Sequence, residues 1–267
     1  MRTVVITGGS RGIGRGLAKR FLERGQQVVV SGRRPETTQR AVQELGALSD
    51  PAQVHGQACE VTDHAQLEQL WQSARERFGK VDIWINNAGI SHLGSSLVET
   101  EPDELRSVVE VNLLGVLYGS RVALRGMQEQ GGGHLYNMEG LGSDGRIVPG
   151  RGPYGATKRA LRHLTETLVK EVEGSPVKVS ALSPGIVVTD FILDNARNQS
   201  PESWARARKV MNILADTPET VTPWLADRVL EHDRNGGTIA WLTTPKIAGR
   251  FMTAPLRKRD LFGPHGL

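Results

Sequence analysis

The chain has 267 residues, with 33 lysines and arginines against 29 aspartates and glutamates, and one cysteine. This length suits one large α/β domain or two small ones. A single cysteine excludes an intrachain disulfide and a multi-cysteine metal site, and the scattered charges give little indication of a nucleic-acid partner. The first residues enter an apolar run directly, and no uncharged apolar stretch reaches about 18 residues, so we expect a cytoplasmic protein without signal peptide or transmembrane segment.

Short β-branched runs alternate with helical patterns along the chain. The predicted strands cover residues 3–7, 27–31, 53–61, 81–86, 134–138, 177–182 and 238–243. The predicted helices lie near residues 12–24, 36–46, 64–78, 102–130, 154–173 and 218–232. Such alternation predicts an α/β fold, with a parallel sheet that carries helices on both faces.

Two segments depart from this alternation. Residues 186–217 show no strand pattern, and long insertions after a strand often form lids over a site. The large apolar residues of this predicted lid are Phe191, Ile192, Trp204 and Met211. Ordinary core packing is an equally open interpretation for them. Residues 246–267 form a C-terminal extension, which we expect to be ordered or partly ordered. Its basic and apolar stretch RFMTAPLRKRDLFG leaves contact with a membrane surface and contact with a sister subunit both open.

The stretch TGGSRGIG, residues 7–14, lies between the first predicted strand and the first predicted helix. This placement is typical of a turn that rests a dinucleotide pyrophosphate on a helix N-terminus. Gly8 would permit the tight turn, whereas Gly12 and Gly14 would allow close approach of the phosphate and of the helix. A plain structural turn is the alternative.

The second predicted strand ends in VVVSGRR, without the carboxylate that NAD-selective proteins place there. Gly32 occupies that position, Arg33 follows it, and Arg11 lies in the glycine turn. Because a guanidinium group matches the geometry of a phosphate, we predict NADPH as the cofactor, bound through Arg11, Ser31 and Arg33. The alternative is that these arginines are solvated surface residues.

The stretch YGATK places Tyr154 and Lys158 four residues apart, on one face of a predicted helix. A nearby ammonium and an oxidised nicotinamide would favour the phenolate, bringing the tyrosine into range for proton exchange at neutral pH.

Five motifs follow one another in a familiar order: the glycine turn, NNAG (86–89), VNLLG (111–115), YGATK (154–158) and SPGIVVTD (183–190). Over residues 3 to about 245 the chain therefore resembles the short-chain dehydrogenase/reductase family. The resemblance implies one doubly wound Rossmann-type domain, residues 1–245, with a seven-stranded parallel sheet. It also implies a small-molecule carbonyl substrate and a homodimer or homotetramer that pairs through the helices near 102–130 and 154–173.

The resemblance also assigns roles to single residues. It implies Tyr154 as the proton donor, Lys158 as the group that holds the nicotinamide ribose, and Asn112 as the anchor of a proton-relay water. Asn86 would sit beside the cofactor, and Glu60 stands where an aspartate is usual. The remaining residues that it places at NADPH or NADP are Gly8, Ser10, Arg11, Gly12, Ile13, Gly14, Ser31, Arg33, Glu60, Val61, Asn87, Ala88, Gly89, Pro184, Gly185 and Thr189.

The loop after the fifth predicted strand departs from the family pattern. A serine is usual about thirteen residues before the tyrosine, where this chain has Leu141; an alignment on the strand end places Glu139 and Gly140 there instead. Ser143, eleven residues before the tyrosine, is predicted to orient the substrate carbonyl. Glu139 or a backbone N–H in place of the serine is the alternative.

The altered loop, NMEGLGS, together with DTPETV (216–221) and GGTIAWLTTPKI (236–247), resembles the chlorophyll b reductase branch of the family. This implies reduction of a formyl group on a bulky apolar substrate, which Glu139, Phe191 and Trp204 would contact. A generic NADP(H)-dependent alcohol dehydrogenase or ketoreductase for a small carbonyl is one alternative. A non-catalytic NADP(H)-sensing module is another, disfavoured because both Tyr154 and Lys158 are present.

Three histidines, His92, His134 and His163, lack the spacing of metal ligands. We therefore expect them to be structural, and we predict no metal site.

Overall fold

The computed structural model describes residues 1–91, 96–198, 200–257 and 259–267. Within them a seven-stranded sheet, parallel throughout, has the order β3-β2-β1-β4-β5-β6-β7. The strands are β1 (Thr3–Ile6), β2 (Gln27–Gly32), β3 (Val54–Ala58), β4 (Ile83–Asn86), β5 (Gly133–Met138), β6 (Val177–Ser183) and β7 (Thr238–Ala240). The predicted α/β fold with a doubly wound parallel sheet is confirmed.

Helices cover both faces of this sheet. They are α1 (Gly12–Glu23), α2 (Pro35–Gly46), α3 (His64–Phe78), α4 (Pro102–Val109), α5 (Gly115–Glu129), α6 (Gly152–Glu171), α7 (Asp190–Arg197), α8 (Pro201–Leu214), α9 (Pro218–Glu231) and α10 (Thr244–Thr253). Helices α1, α2 and α9 supply the core on one face, whereas α3, α5 and α6 supply it on the other.

The central strands are apolar because both of their faces are covered. In β1, Val4 and Ile6 join the core beneath α1 and α9, while Val5 joins the core beneath α3 and α5. All three side chains are completely buried. Continuous apolar runs of this kind are typical of parallel strands that are buried on both faces.

The strand order reverses between β1 and β4, which makes this the switch point of the doubly wound sheet. Ligands of open α/β sheets bind in the crevice beyond the carboxyl ends of the strands at such a point. The segments that leave β1, β4, β5 and β6 therefore position the candidate site.

One long helical run, 102–129, consists of α4, a π-helical turn (Glu110–Leu114) and α5. By length and composition alone it could cross a membrane, a test that core helices of soluble proteins also pass. Its inner side chains, among them Val116, Ala123 and Met127, are buried in the protein core.

The predicted lid and the C-terminal extension are largely helical and pack on each other. Within the lid, α7 and α8 are helices that the sequence pattern did not indicate, as is α10 beyond it. Phe262 from the tail is fully buried, and its ring meets Trp204 edge-on with 5.0 Å between centroids. The predicted boundary at residue 245 falls inside α10.

Candidate active site

The glycine turn connects β1 to α1 and leaves the N-terminus of that helix open. Gly8 has φ +64°, and a Cβ there would come within 2.9 Å of Ala88 Cα. No side chain caps α1, and its first turn carries no acidic residue. The turn therefore presents backbone N–H groups and a positive helix end, which suit a pyrophosphate. Of the other predicted turn residues, Ser10, Gly12 and Ile13 are partly exposed and Gly14 is buried.

The end of β2 is too crowded for the carboxylate that its sequence lacks. A Cβ on Gly32 would lie 2.8 Å from Ser10 Oγ and 3.0 Å from Thr38 Oγ1. Thr38 is a neighbour that the motif reading missed, because it lies a full turn into α2 and outside any motif.

The three residues predicted to select NADPH differ in their accessibility. Arg11 and Arg33 are exposed, and within the described residues their guanidinium groups form no ion pair. Ser31 is completely buried, and its Oγ has no hydrogen-bond partner there. Thus the two arginines are available to an anionic ligand, whereas protein atoms cover the serine.

The segment after β4 is tied to the glycine turn by Thr7. The Thr7 hydroxyl accepts hydrogen bonds from the backbone N–H groups of Asn87 (3.0 Å) and Ala88 (3.1 Å). The Asn87 side chain donates to the carbonyl oxygens of Thr7 and Gly8. Asn86, expected beside the cofactor, is instead buried in a polar network with Trp84, Ser120 and Asn137.

Asn112 lies in the π-helical turn and is completely buried. Its side-chain amide makes two hydrogen bonds to the backbone of Ile90. Oδ1 accepts from the N–H and Nδ2 donates to the C=O, each at 2.8 Å. A Cβ on Gly89 would lie 3.2 Å from Asn112 Oδ1 and 3.8 Å from Lys158 Nζ. The π-turn thus brings Asn112 to the lysine side of the site, as π-bulges often do at functional sites.

Tyr154 lies in the first turn of α6 and points at the loop that follows β5. A Cβ on Gly140 would come within 2.4 Å of the Tyr154 hydroxyl oxygen and 3.3 Å of Lys158 Cε. Lys158 is buried, donates from Nζ to the Met138 carbonyl (3.1 Å), and lies 5.8 Å from the Tyr154 ring centroid. The tyrosine, the lysine and the bare Cα of Gly140 therefore form one compact cluster.

Ser143 folds back onto this cluster. It is buried, and its Oγ accepts a hydrogen bond from the Gly140 N–H at 3.1 Å. Between these residues the loop runs close to α6, because Gly142, with φ +97°, faces the backbone of Gly155 at a distance that only a glycine fits. Gly140 thus lies between the two hydroxyl groups, in contact with Ser143 through its N–H and with Tyr154 through its Cα.

Burial is the largest influence on the pKa values of Tyr154 and Lys158. It raises the pKa of Tyr154 to about 12, although the charge of Arg151 acts in the opposite direction. It lowers the pKa of Lys158 to about 8, against the opposing effect of Glu139. In the protein alone, therefore, the tyrosine is a protonated phenol at neutral pH. The expectation that an ammonium and an oxidised nicotinamide together favour the phenolate applies to the cofactor complex and stays a prediction.

Glu139 begins the same loop, and burial raises the pKa of its carboxyl group. Its backbone N–H extends the pairing with β6 by donating to the Leu182 carbonyl at 2.7 Å. Its carboxyl makes no hydrogen bond within the described residues and feels the charges of Arg162 and Lys158.

Helix α7 covers the tyrosine. The ring centroids of Phe191 and Tyr154 are 5.7 Å apart. Arg151, the N-cap residue of α6, donates from Nη1 to Asn195 Oδ1 (2.8 Å) and to Ser91 Oγ (3.3 Å). The motif analysis did not identify Arg151. Its position at the start of the helix, three residues before Tyr154, could have marked it as a neighbour of the site. Arg151 ties α6 to the lid and to the segment after β4.

The other apolar lid residues lie elsewhere. Trp204, Ile192 and Met211 pack with Val188 and Phe262 in a cluster between the lid and the tail. Trp204 was predicted to contact the substrate. In the structure its ring packs against Phe262 of the tail. Its indole Nε1 is buried without a partner among the described residues.

The remaining predicted residues surround the crevice. Thr189, after the loop that contains Pro184 and Gly185, approaches the glycine turn: a Cβ on Gly12 would lie 3.4 Å from Thr189 Cγ2. Glu60 is partly exposed, with its N–H bound to Gln66 Oε1, and Val61 is buried against Gly115.

The histidines lie away from this crevice or outside the described structure. His134 is buried between strands, bonded to Ser180 and stacked on Tyr136. His163 is exposed, and His92 lies outside the described residues.

A doubly wound parallel sheet with an open glycine turn at its switch point and a helix-borne tyrosine–lysine pair beside it defines a dinucleotide-dependent oxidoreductase. Residues 2–200 match the family model described as short chain dehydrogenase. The chain belongs to this family, whose members use a nicotinamide cofactor and act on small molecules.

Relatives and solved structures agree with this assignment. The chain is 36% identical over 281 residues to "Probable chlorophyll(ide) b reductase NYC1, chloroplastic" of Oryza sativa subsp. japonica, covering 99% of this chain and 54% of that protein. It is 38% identical over 231 residues to "Chlorophyll(ide) b reductase NOL, chloroplastic" of the same organism, covering 85% and 66%. The chain thus spans about half to two thirds of these relatives. Among solved structures, levodione reductase superposes with a TM-score of 0.81 at 25% identity, covering 92% and 98%.

Proposed function

We propose that this protein is an NADPH-dependent carbonyl reductase that reduces a formyl group on a bulky apolar substrate, as in the conversion of a chlorophyll b-type 7-formyl group to a 7-hydroxymethyl group. The observation that carries the proposal is the placement of the Tyr154 hydroxyl. It lies against the bare Cα of Gly140, with Lys158 behind it and Phe191 over its ring.

The residues of the crevice suit the phosphate groups of NADPH. The open N-terminus of α1 and the exposed Arg11 and Arg33 would hold the phosphate groups, and Gly32 leaves no carboxylate to repel a 2′-phosphate. Thr189, next to Gly12, would lie toward the nicotinamide end. Bound NADPH supplies the hydride that reduces the carbonyl carbon.

The chain's own residues supply the proton and orient the oxygen. Tyr154, kept protonated at neutral pH by burial, donates its hydroxyl proton to the substrate oxygen as negative charge develops there. The Ser143 hydroxyl, fixed by the Gly140 N–H, hydrogen-bonds the same oxygen and orients it. Lys158, with its pKa near 8, favours return of a proton to the tyrosinate after transfer.

The large substrate is supported by the named relatives and by the altered loop. The loop after β5 carries a glycine at position 140, so no side chain from that residue lies against the Tyr154 hydroxyl. We propose that the apolar ring system of such a substrate packs against Phe191, with its formyl group at the Tyr154 hydroxyl. A small carbonyl compound is the alternative substrate class.

The test is NADPH consumption by the purified protein with chlorophyll b and with its phytol-free form, followed by analysis of the product for a hydroxymethyl group. We expect turnover that Tyr154→Phe abolishes. Tyr118→Phe on α5, outside the crevice, is the matched control and should retain activity. Bound NADPH without turnover of either pigment would reject the formyl-chlorin substrate, and a panel of smaller aldehydes and ketones would then test the reductase activity itself.

A further inference from the structure

Helix α10 turns two basic side chains toward the protein and its two largest apolar side chains toward solvent. Lys246 and Arg250, four residues apart, point inward. The Lys246 ammonium lies over the Trp241 ring, 2.9 Å from its centroid, and Arg250 Nη2 donates to Asp216 Oδ2 at 2.6 Å. An ordinary surface helix buries its apolar face and exposes its polar one. The orientation of α10 is the reverse.

The outward side of α10 carries a stripe of apolar residues. They are Ala248, Phe251, Met252 and Pro255, spaced at three and four residues and thus on one face, with Leu256 beside them. Phe251 is 47% exposed, Met252 77% and Leu256 86%. Three large apolar side chains exposed within six residues exceed the scattered apolar exposure of an ordinary surface.

This orientation is fixed by a buried charge. The Asp216 carboxylate, at the start of the segment leading into α9, accepts hydrogen bonds from Trp241, Arg250 and Arg259. Rotation of α10 to bury Phe251 would remove Arg250 from that carboxylate and leave a buried charge less compensated. The apolar face therefore cannot turn inward at low cost.

The charges exposed beside this face indicate what it binds. Lys246, Arg250 and Arg259 are engaged on the inner side. Among the described residues of the segment 241–259 the exposed cation is therefore Arg257, and the sequence of this segment contains no acidic residue. Arg257 is exposed next to Leu256, and α8, which packs against α10, exposes Lys209 and Val210. Pairing with the same face of a second copy would bring these like charges together. An anionic lipid surface is complementary to both features, since it accepts apolar side chains at the acyl boundary and attracts cations at the headgroups.

We propose that the outward face of α10, extended by Leu256 and Arg257, binds anionic membrane surfaces. Phe251, Met252 and Leu256 enter the headgroup region, and Arg257 meets lipid phosphates. This contact does not depend on which carbonyl compound the enzyme reduces.

The test is sedimentation of the full-length protein with vesicles of phosphatidylcholine alone and of phosphatidylcholine mixed equally with phosphatidylglycerol. We expect binding to the mixed vesicles that weakens as NaCl rises from about 0.1 M to about 1 M, because the Debye length shortens from about 10 Å to about 3 Å. The double variant Phe251→Ser, Met252→Ser should bind at least about tenfold more weakly. Arg257→Gln should bind more weakly and show a smaller salt effect.

Leu48→Ser is the matched control, because Leu48 is also an exposed leucine (58%) but lies in the turn after α2. It should bind like the unmodified chain, and circular dichroism together with NADPH binding checks the folding of every variant. Lack of sedimentation with either vesicle, or full binding by the double variant, would overturn the proposal. A protein dimer that dissociates in the double variant without any vesicle binding would assign the face to a second copy instead.

Discussion

The Cα atom of Gly140 faces the hydroxyl of Tyr154 so closely that a Cβ on residue 140 would lie 2.4 Å from the phenolic oxygen. The loop after β5 therefore needs a glycine at this point if the tyrosine is to keep its position. Ser143, which we propose takes the place of the serine usual in this loop, accepts a hydrogen bond from the Gly140 N–H through its Oγ. Gly140 therefore contacts both groups, the Tyr154 hydroxyl through its bare Cα and the Ser143 hydroxyl through its N–H.

Gly140→Ala should disable the enzyme with little loss of fold. The added methyl group must displace either the Tyr154 hydroxyl or the Lys158 stem, and a shift of about 1 Å in a reacting group costs about 100-fold in rate. We expect kcat to fall by about that factor while the melting temperature changes by only a few degrees. Gly152→Ala is the control, because a Cβ there meets no atom within 4 Å. Equal activity of the two alanine variants would contradict the arrangement.

Ser143→Ala should lower kcat by about 100- to 1,000-fold if the hydroxyl orients the substrate oxygen. It should also cost about 1 kcal/mol of stability, since the Gly140 N–H loses its partner. Steady-state kinetics beside urea unfolding separates the two effects. Turnover close to that of the unmodified enzyme, with Tyr154→Phe inactive, would show that the serine only holds the loop.

Arg33→Ala should reduce the preference for NADPH. A charge-assisted hydrogen bond contributes about 1.5–3 kcal/mol, so the ratio of kcat/KM for NADPH to that for NADH should fall by about 10- to 100-fold. The neighbouring Arg34 is also exposed and serves as the control through Arg34→Ala. An unchanged ratio in Arg33→Ala would make this arginine an ordinary surface residue.

Lys158→Met should abolish activity. At neutral pH it should also raise the free energy of unfolding, and this gain should shrink as the pH rises. The lysine pKa falls from 10.5 to about 8 on folding because burial disfavours the ammonium. The cost of burying the charge is therefore fully present below pH 8 and disappears as pH rises to about 10.5. A shift of roughly 2.5 pKa units corresponds to about 3 kcal/mol.

The measurement is urea unfolding of both proteins without cofactor between pH 7 and pH 10.5. The advantage of the variant over the unmodified chain should shrink by about 3 kcal/mol across that window. The Met138 carbonyl loses its donor in the variant, which lowers the absolute gain but does not alter its pH dependence. A constant difference at every pH would show that the lysine is not desolvated in the folded state.

Asp216→Asn should loosen the C-terminal tail from the lid. The carboxylate is buried and serves two arginines and Trp241, so its neutralisation leaves those cations uncompensated. We expect a loss of about 2–4 kcal/mol in urea unfolding and faster proteolysis after residue 243. Asp233→Asn, in an ion pair whose carboxylate is 88% exposed, should change stability by less than about 0.5 kcal/mol. A similar small effect for Asp216→Asn would contradict the role assigned to this cluster.

The sequence predicted the sheet and its main helices because these elements carry their own periodicity. Strands such as β1 and β2 are continuous apolar runs, and each of the six predicted helices lies within a few residues of an observed one or, for 102–130, of a continuous helical run. The two lid helices and α10 escaped prediction for a physical reason. The apolar residues of the lid helices pack against one another and against the tail, as Trp204 does with Phe262, so neither lid helix shows a regular buried face. The large apolar residues Phe251 and Met252 of α10 face solvent, so this helix has no buried apolar face for a pattern to reveal.

The sequence by itself determined the family, the parallel sheet, the glycine turn and the tyrosine–lysine pair, because local spacing along the chain sets each of these. Only the tertiary structure decided the positions of Gly140 against Tyr154, Arg151 beside Asn195, and α10 with its two basic side chains inward. Each depends on segments far apart in sequence that meet at the edge of the sheet. In the protein without cofactor, burial sets the raised pKa of Tyr154, since desolvation depends on the surrounding atoms and not on the motif that contains the residue.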